Sequence, residues 1–364
     1  MRPLRGRMGI KMKIRLEQPD DFESILKLTY KAFLTLDYPG RKRIDEHYLI
    51  SLLKNSPSVI TQLCFVAEQN GEIVGHILYT ESEILHPDGT VTATITFGPL
   101  SVHPEYHKQG IGSALVRYSM EKATQLGYNA VVITGVPEYY PKLSFKRARE
   151  YGLFLTGGYA PDAFMVYELQ PGVLKGGEVR FLAPEFEKAE TDDCGFDIFH
   201  RSFIKKNYNN KLIIRRLWNA DVSLLEKWLY QEHVARWYNE PEAWLEEIKN
   251  RHGKFSFIRH FIAEINGKPI GFGQYYDCFF GQEYEEWHKI EKQGEIFSID
   301  YLVGEPDALN KGYGTEIVRY LTSKAFRNGA KKVIVRPDEK NIASKRVLEA
   351  NGYRFNGEDY IIEL

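Results

Sequence analysis

Leu and aromatic residues crowd 19–36 and again 219–237, which predicts a helix at the head of each half of the chain. Short apolar runs follow in both halves. The first is Phe65-Val-Ala-Glu-Gln-Asn-Gly-Glu-Ile-Val-Gly-His-Ile-Leu-Tyr79, which returns as Phe261-Ile-Ala-Glu-Ile-Asn-Gly-Lys-Pro-Ile-Gly-Phe-Gly-Gln-Tyr275. Each is strand, Asn-Gly, strand, and Asn-Gly supplies the positive φ angles of a tight hairpin turn. Another strand is expected at 93–102 and 296–303, then a glycine loop, then a helix at 112–126 and 314–328. A buried-type strand closes the series at Val131-Val-Ile-Thr134 and Lys332-Val-Ile-Val335. Strand, helix, strand with so short a crossover implies a parallel pair inside a mixed sheet.

The repeat is internal and ordered. The Asn-Gly landmarks lie 196 residues apart, and Gly110-Ile-Gly-Ser-Ala-Leu-Val-Arg-Tyr118 returns 202 residues later as Gly312-Tyr-Gly-Thr-Glu-Ile-Val-Arg-Tyr320. Chance matches would not keep both order and spacing, so a duplicated domain is expected. At 364 residues the chain also exceeds what one hydrophobic core usually supports. The expected organisation is a flexible tail at 1–12, one domain over 13–184, a connector rich in turn formers and charge at 185–211, and a second domain over 212–364. Met12 opens the patterned sequence, so the residues before it read as a tail or as an upstream start.

Charge narrows the function classes. Lys+Arg 48 against Asp+Glu 49 leaves no basic surplus for nucleic acid. No apolar run is long enough to span a bilayer, and the basic start has no apolar stretch behind it to act as a secretory signal. Cys64, Cys194 and Cys278 are odd in number, far apart and without metal spacing, which suits a reducing cytoplasm. Charge and hydropathy thus point away from nucleic acid and membrane as partners. Oligomeric state is not readable.

A Gly-x-Gly loop between a strand and a helix offers unsatisfied N–H groups and the positive end of the helix dipole, a setting for phosphate. Either loop alone could be a plain turn, but two copies in one context favour phosphate. Val102-His-Pro-Glu-Tyr-His-Lys-Gln-Gly-Ile-Gly-Ser-Ala-Leu115 resembles the acetyl-CoA signature of the GNAT superfamily, with His107 where Gln or Arg is usual. The resemblance covers nearly all of 13–170. It implies an α+β fold of two GNAT-like domains, each a mixed, mostly antiparallel sheet with a central parallel pair flanked by helices. It further implies acetyl-CoA on Leu100, Val102, His107, Lys108, Gln109, Gly110, Ile111, Gly112 and Ser113. In the second half the implied set is Leu302, Val303, Asn310, Lys311, Gly312, Tyr313, Gly314, Thr315 and Asn341.

The second half is more specific. Trp228-Leu-Tyr-Gln-Glu-His-Val-Ala-Arg-Trp-Tyr238, Pro269-Ile-Gly-Phe-Gly-Gln-Tyr275, Ile299-Asp-Tyr-Leu-Val-Gly-Glu-Pro-Asp307 and Pro337-Asp-Glu-Lys-Asn-Ile-Ala-Ser344 resemble aminoglycoside 6'-N-acetyltransferases. That family implies antibiotic resistance and transfer of an acetyl group to a primary amine of a polycationic small molecule. Its branch also holds ribosomal-protein acetyltransferases. The rival readings are therefore a protein, peptide or polyamine acetyltransferase, or a fusion in which one domain binds acyl-CoA without turnover.

Amine acetylation needs a base for the ammonium and a donor for the thioester oxygen, and the departing thiolate can use an acid. Asp300 enters the second glycine loop on a strand and matches the family's base; the alternative is structural pairing within the sheet. Tyr140 in Glu138-Tyr-Tyr-Pro-Lys-Leu-Ser-Phe145 stands at the tyrosine position of GNAT enzymes, where it would protonate the thiolate. In the second half Leu348 stands there, so that acid is missing. The second copy is also longer between hairpin and loop, and that interval carries Asp277, Glu283, Glu285, Glu286, Glu291 and Glu295 with Tyr284 and Trp287. An acidic, aromatic wall for a polycation is one reading and an ordinary solvated loop the other. The expected acceptor contacts are Trp237, Tyr238, Gln274, Glu283, Glu286 and Trp287.

Overall fold

The computed structural model describes residues 12–284 and 289–364. Contacts divide it into two compact units. The first comprises residues up to Phe33 and Asp45–Phe196; the second comprises Leu34–Ile44 and Asp197–Leu364.

In the first unit β1 (Lys13–Leu16), α1 (Phe22–Phe33) and α2 (Glu46–Leu53) precede β2 (Phe65–Gln69), β3 (Glu72–Leu85) and β4 (Val91–Val102). Then come α3 (Ile111–Gln125), β5 (Ala130–Thr134), β6 (Lys146–Arg147), β7 (Leu153–Phe154), β8 (Phe164–Glu168), β9 (Gly177–Phe181) and α4 (Glu185–Thr191). The sheet order is β1-β2-β3-β4-β5-β8-β6, with β9 pairing to β3 and β7. Neighbours on the main path are antiparallel except β4 and β5.

A helix α5 (Asp193–Tyr208) leads into the second unit. There β10 (Leu212–Arg216), α6 (Val222–Leu229), α7 (Glu232–Ala235), α8 (Pro241–Lys249), β11 (Arg259–Ile265) and β12 (Lys268–Asp277) repeat the opening. The rest is α9 (Cys278–Gly281), β13 (Ile296–Val303), α10 (Tyr313–Arg327), β14 (Lys332–Val335), α11 (Ile342–Ala350), β15 (Arg354–Phe355) and β16 (Tyr360–Glu363). Its sheet order is β10-β11-β12-β13-β14-β16-β15, with β13 and β14 parallel. Each sheet is thus mixed and mostly antiparallel with a parallel pair on its main path, and the first sheet holds a second parallel pair, β7 with β9, off that path. Among the described residues no helix is long and apolar enough to cross a membrane.

The expected hairpins form on Asn70-Gly71 and Asn266-Gly267, whose φ angles are 56° and 80°, then 51° and 73°. Each carries the same bulge, between Ala67 and Glu68 and between Ala263 and Glu264. Two features depart from the sequence expectation. Residues 185–211 are not a turn-rich connector: α4 and α5 occupy most of them, because Phe196, Phe203 and Ile204 supply a buried helical face. Residues 34–44 belong with the second unit, where Asp37 meets Arg216 at 3.2 Å and Arg251 at 3.5 Å.

The duplication also carries an ion-pair signature. Arg15 forks onto Asp21 (2.6 and 2.9 Å) and reaches Glu68 (2.9 Å). Arg215 forks onto Asp221 (2.7 and 2.9 Å) and reaches Glu264 (3.1 Å). Each arginine ties its first strand to the start of the first helix and to the bulged hairpin, and the planar guanidinium suits such bidentate geometry. The second copy is buried, is stacked on Trp218 at 3.5 Å, and adds His200 at 3.3 Å from Glu264. Burial opposes ionisation of Glu264, but His200 and Arg215 outweigh it and hold the carboxyl down to about 2. Removing Arg215 as Arg215→Met should destabilise the second unit by about 3–5 kcal/mol, read from chemical denaturation, because two buried carboxylates lose their partner. A depressed carboxyl contributes stability above its ordinary range and loses it as pH falls toward the folded value. Glu264→Gln should therefore flatten the loss of stability between pH 4.5 and about 2; an unchanged acid limb would contradict that assignment.

Candidate active site

Both glycine loops adopt one backbone shape. Lys108 and Gly110 have φ of 61° and 83°; Asn310 and Gly312 have 59° and 82°. Alternating left-handed residues turn successive N–H groups to one side, a concavity for an anion. Gly110 and Gly312 start α3 and α10, and neither helix has a side-chain cap. The first N–H groups of each helix, from Ile111, Gly112 and Ser113 and from Tyr313, Gly314 and Thr315, are therefore left for a ligand. A Cβ on Gly110 or Gly312 would meet nothing within 4 Å, so glycine is there for its backbone angle and the cradle is open. A pyrophosphate fits this donor set. The His107 side chain turns back to the strand end, its Nε2 3.0 Å from the Val102 carbonyl. Lys108, Gln109, Asn310 and Lys311 are exposed on the loops, with the Gln109 amide donating to Glu105 C=O at 3.2 Å.

Beside each loop the parallel strands part. β13 pairs with β14 only at Ile296, Phe297 and Ser298, and β4 pairs with β5 only at Ile95. The Gly304 N–H donates to Ile270 C=O, so the alternate residues Ile299, Tyr301 and Val303 turn their peptide groups toward the opening. Tyr238 Oη donates to the Tyr301 carbonyl at 2.6 Å, and His233 Nε2 lies 3.1 Å from that of Val303. The N–H groups of Tyr301 and Val303 have no sheet partner there.

The strand ends also correct the repeat by one residue. His103 N–H donates to Val74 C=O as Gly304 N–H does to Ile270 C=O, an offset of 201 where the glycines show 202. Leu100 thus corresponds to Tyr301, and Val102 to Val303. Leu302, expected beside the acyl donor, faces the other way and is buried with Trp228, Phe272 and Leu225. A side-chain period of two makes a one-residue offset a change of face.

On that other face Asp300 and Gln274 lie directly opposite each other across β13 and β12. Gln274 Nε2 donates to Asp300 Oδ2 at 3.1 Å. Only the NH₂ of an amide can donate to a carboxylate, so the Oε1 end is fixed pointing away. That oxygen is buried and without a hydrogen-bond partner among the described residues, and Gln274 is 1% exposed. Burial, and then the Asp300 charge, push the Tyr238 phenol well above its ordinary range, so it stays a donor. Tyr238 also packs edge-on against Trp244, 4.9 Å between centroids. The first half has Leu78 in place of Gln274, and the bulge residues Gly98 and Pro99 where Asp300 stands.

Other expected residues scatter. Tyr140 is buried between Phe97 (5.8 Å) and Phe145 (5.6 Å), whereas its neighbour Tyr139 reaches the loop, 3.1 Å from Ser113 Oγ. Asn341 caps α11 by accepting from Ser344 N–H at 3.0 Å. Trp237 is half-buried beyond α7, and Glu283 is exposed after α9. Glu286 and Trp287, with Glu285, lie outside the described residues. The acidic wall is thinner than its composition: Asp277 accepts from Phe279 and Gly294 N–H (3.0 and 2.7 Å), and Glu295 pairs with Lys331 at 2.6 Å. Gly304 is required by contact, since a Cβ there would sit 2.1 Å from the Trp228 ring. Tyr139, Tyr301 and Gly304 lie inside the family-like segments, but the sequence alone gives none of them a role.

Comparison with known proteins agrees with this layout. The family model described as Acetyltransferase (GNAT) family matches residues 24–145, and that described as Acetyltransferase (GNAT) domain matches residues 218–359. Aminoglycoside N(6')-acetyltransferase type 1 of Klebsiella pneumoniae is 27% identical over 161 residues, 42% of this chain and 79% of that protein. The uncharacterized N-acetyltransferase YhbS of Escherichia coli is 25% identical over 165 residues, 45% of this chain and 92% of that protein. A solved structure of YhbS with CoA is 23% identical, with a TM-score of 0.44, covering 50% of this chain and 96% of that one. The chain carries two GNAT acetyltransferase domains, one in each half, and is an N-acetyltransferase that takes acetyl-CoA as its acyl donor.

Proposed function

We propose that the second half acetylates a primary amine of an aminoglycoside-like polycationic small molecule, with Asp300 as the base. The observation that carries this is the Gln274–Asp300 pair, two acceptors on the face of β12 and β13 opposite the glycine loop. A primary ammonium has three N–H groups and can donate to both at once, and a buried acceptor such as Gln274 Oε1 costs free energy until something does. Asp300 would first attract the cation and then take the proton that the amine must lose to attack. The amine nitrogen then bonds to the thioester carbonyl carbon, whose oxygen is met by the outward N–H groups at Tyr301 or Val303, and the carbon–sulfur bond breaks. The similarity to aminoglycoside acetyltransferases supports an aminosugar acceptor, as do the quoted segments of the second half.

A protein or peptide amine is the second reading. Leu348 favours it, being fully buried in the core at the usual tyrosine position, as does the tying-up of Asp277 and Glu295. For the first half we propose acyl-donor binding on the Gly110 loop, with Tyr139 rather than Tyr140 reaching it. With Pro99 at the place of Asp300, that half has no carboxylate base on the strand.

The test is thiol release from acetyl-CoA with aminoglycosides, polyamines and peptides in turn. Aminoglycosides should be turned over, and Gly312→Glu should abolish that turnover by placing a carboxylate at a strained left-handed position in the anion cradle. Turnover surviving that change, or restricted to peptides, would overturn the assignment. Asp300→Asn should lower kcat at neutral pH by about 10²–10⁴-fold; an unchanged rate would remove it as base. Gln274→Leu, which copies the first half, should raise the KM for the amine roughly ten-fold or more while kcat holds. Equal KM values would remove Gln274 from the acceptor site.

A further inference from the structure

The second half lacks a tyrosine on α11, yet a tyrosine hydroxyl lies where one would reach. Leu348 and Ser344 are one turn apart on the same face of α11, and helical side chains lean toward the N-terminus of their helix. A tyrosine at 348 would therefore carry its hydroxyl toward Ser344. Tyr301 Oη is already there, 3.1 Å from Ser344 Oγ, arriving from β13 instead. Its ring passes beside the second loop glycine, with Cε2 3.4 Å from where a Gly314 Cβ would be. Its main chain is fixed by the Tyr238 hydrogen bond to its carbonyl, just past the point where β13 leaves β14. We propose that Tyr301 is the hydrogen-bond donor to the departing thiolate in the second half, replacing from the strand the group that α11 does not supply.

The step balances without another reagent. The ammonium first gives one proton to Asp300, which passes it to solvent; as the amine nitrogen then bonds to the carbonyl carbon, the carbon–sulfur bond breaks, sulfur leaves with the electron pair, and the second nitrogen proton goes to solvent. Burial holds the Tyr301 phenol up to about 12, far above a thiol near 8.5, so Tyr301 keeps its proton and donates a hydrogen bond rather than titrating. On release the sulfur takes one proton back from solvent, so ammonium and thioester give amide, thiol and one proton net. A hydrogen bond to a charged acceptor is stronger than one to a neutral group, so it favours the bond-broken state. The first half offers a parallel: Tyr139 Oη lies 3.1 Å from Ser113 Oγ and 2.9 Å from where a Gly112 Cβ would be.

This inference rests on the second half being a working acetyltransferase, and the test separates the two. In a Gly110→Glu chain, which leaves the second loop as the coenzyme site, the thiol of bound coenzyme A is titrated by its alkylation rate across neutral and alkaline pH. Tyr301→Phe should raise the bound thiol pKa by about one unit, and should lower kcat roughly ten-fold with the amine KM unchanged. Tyr301→fluorotyrosine, a stronger donor of the same shape, should lower that pKa below the parent value, which a packing role would not do. Equal thiol pKa values in parent, Phe and fluorotyrosine chains overturn the proposal, and if Asp300→Asn still stops transfer the functional reading survives that failure. Shifted thiol pKa values with no amine acetylated would sustain Tyr301 as the donor and overturn the functional reading alone.

Discussion

A parallel strand pair that parts after its first rungs leaves peptide groups with no partner in the sheet, and burying such groups unpaired costs free energy. In the second half the carbonyls of Tyr301 and Val303 are met by Tyr238 and His233, which leaves only N–H groups facing the opening. The parting thus becomes a one-sided row of donors. The left-handed residues at Asn310 and Gly312 extend that row around the corner onto the N-terminus of α10. On the proposed function, an acyl donor with a carbonyl at one end and phosphates at the other would meet donors at both.

The strand alternation then separates the chemistry. Side chains at Tyr301 and Val303 lie on the face of α10 and α11, and those at Asp300 and Leu302 on the face of α6 and α8. On the proposed function, acyl donor and amine would approach the opening from opposite sides of one strand, with consecutive residues serving each. The first half keeps the opening and the loop but places Leu78 and the Gly98-Pro99 bulge where Gln274 and Asp300 stand. On the proposed acceptor face the two copies thus carry different residues, and on the loop face the nearby tyrosine comes from different elements, Tyr139 in the first half and Tyr301 in the second.

Much of this was legible in the sequence. Asn-Gly, Gly-x-Gly and the apolar runs name backbone conformations directly, because few residues tolerate positive φ, and the hairpins, loops and parallel pairs follow. Face was harder. The strand ends keep an offset of 201 where the glycines keep 202, and with alternating side chains the Leu302 side chain lies on the face of α6 and α8, which the sequence alone does not show. Roles fixed by long-range contact were invisible: Asp277 and Glu295 counted as open acids until Gly294 and Lys331 met them. The Arg15 and Arg215 forks were missed because three residues scattered over fifty make no motif. Of the tyrosine pair, only geometry separates Tyr139 on the loop from Tyr140 in the core.

The central claim is that the tandem is a pair of acyl-donor sites, and calorimetric titration of the whole chain with coenzyme A tests it most directly. Two equivalents should bind, falling to one in Gly110→Glu and to one in Gly312→Glu, with the remaining site unchanged in each. A single equivalent in the unaltered chain, or a lone substitution that abolishes both, would contradict two independently built cradles.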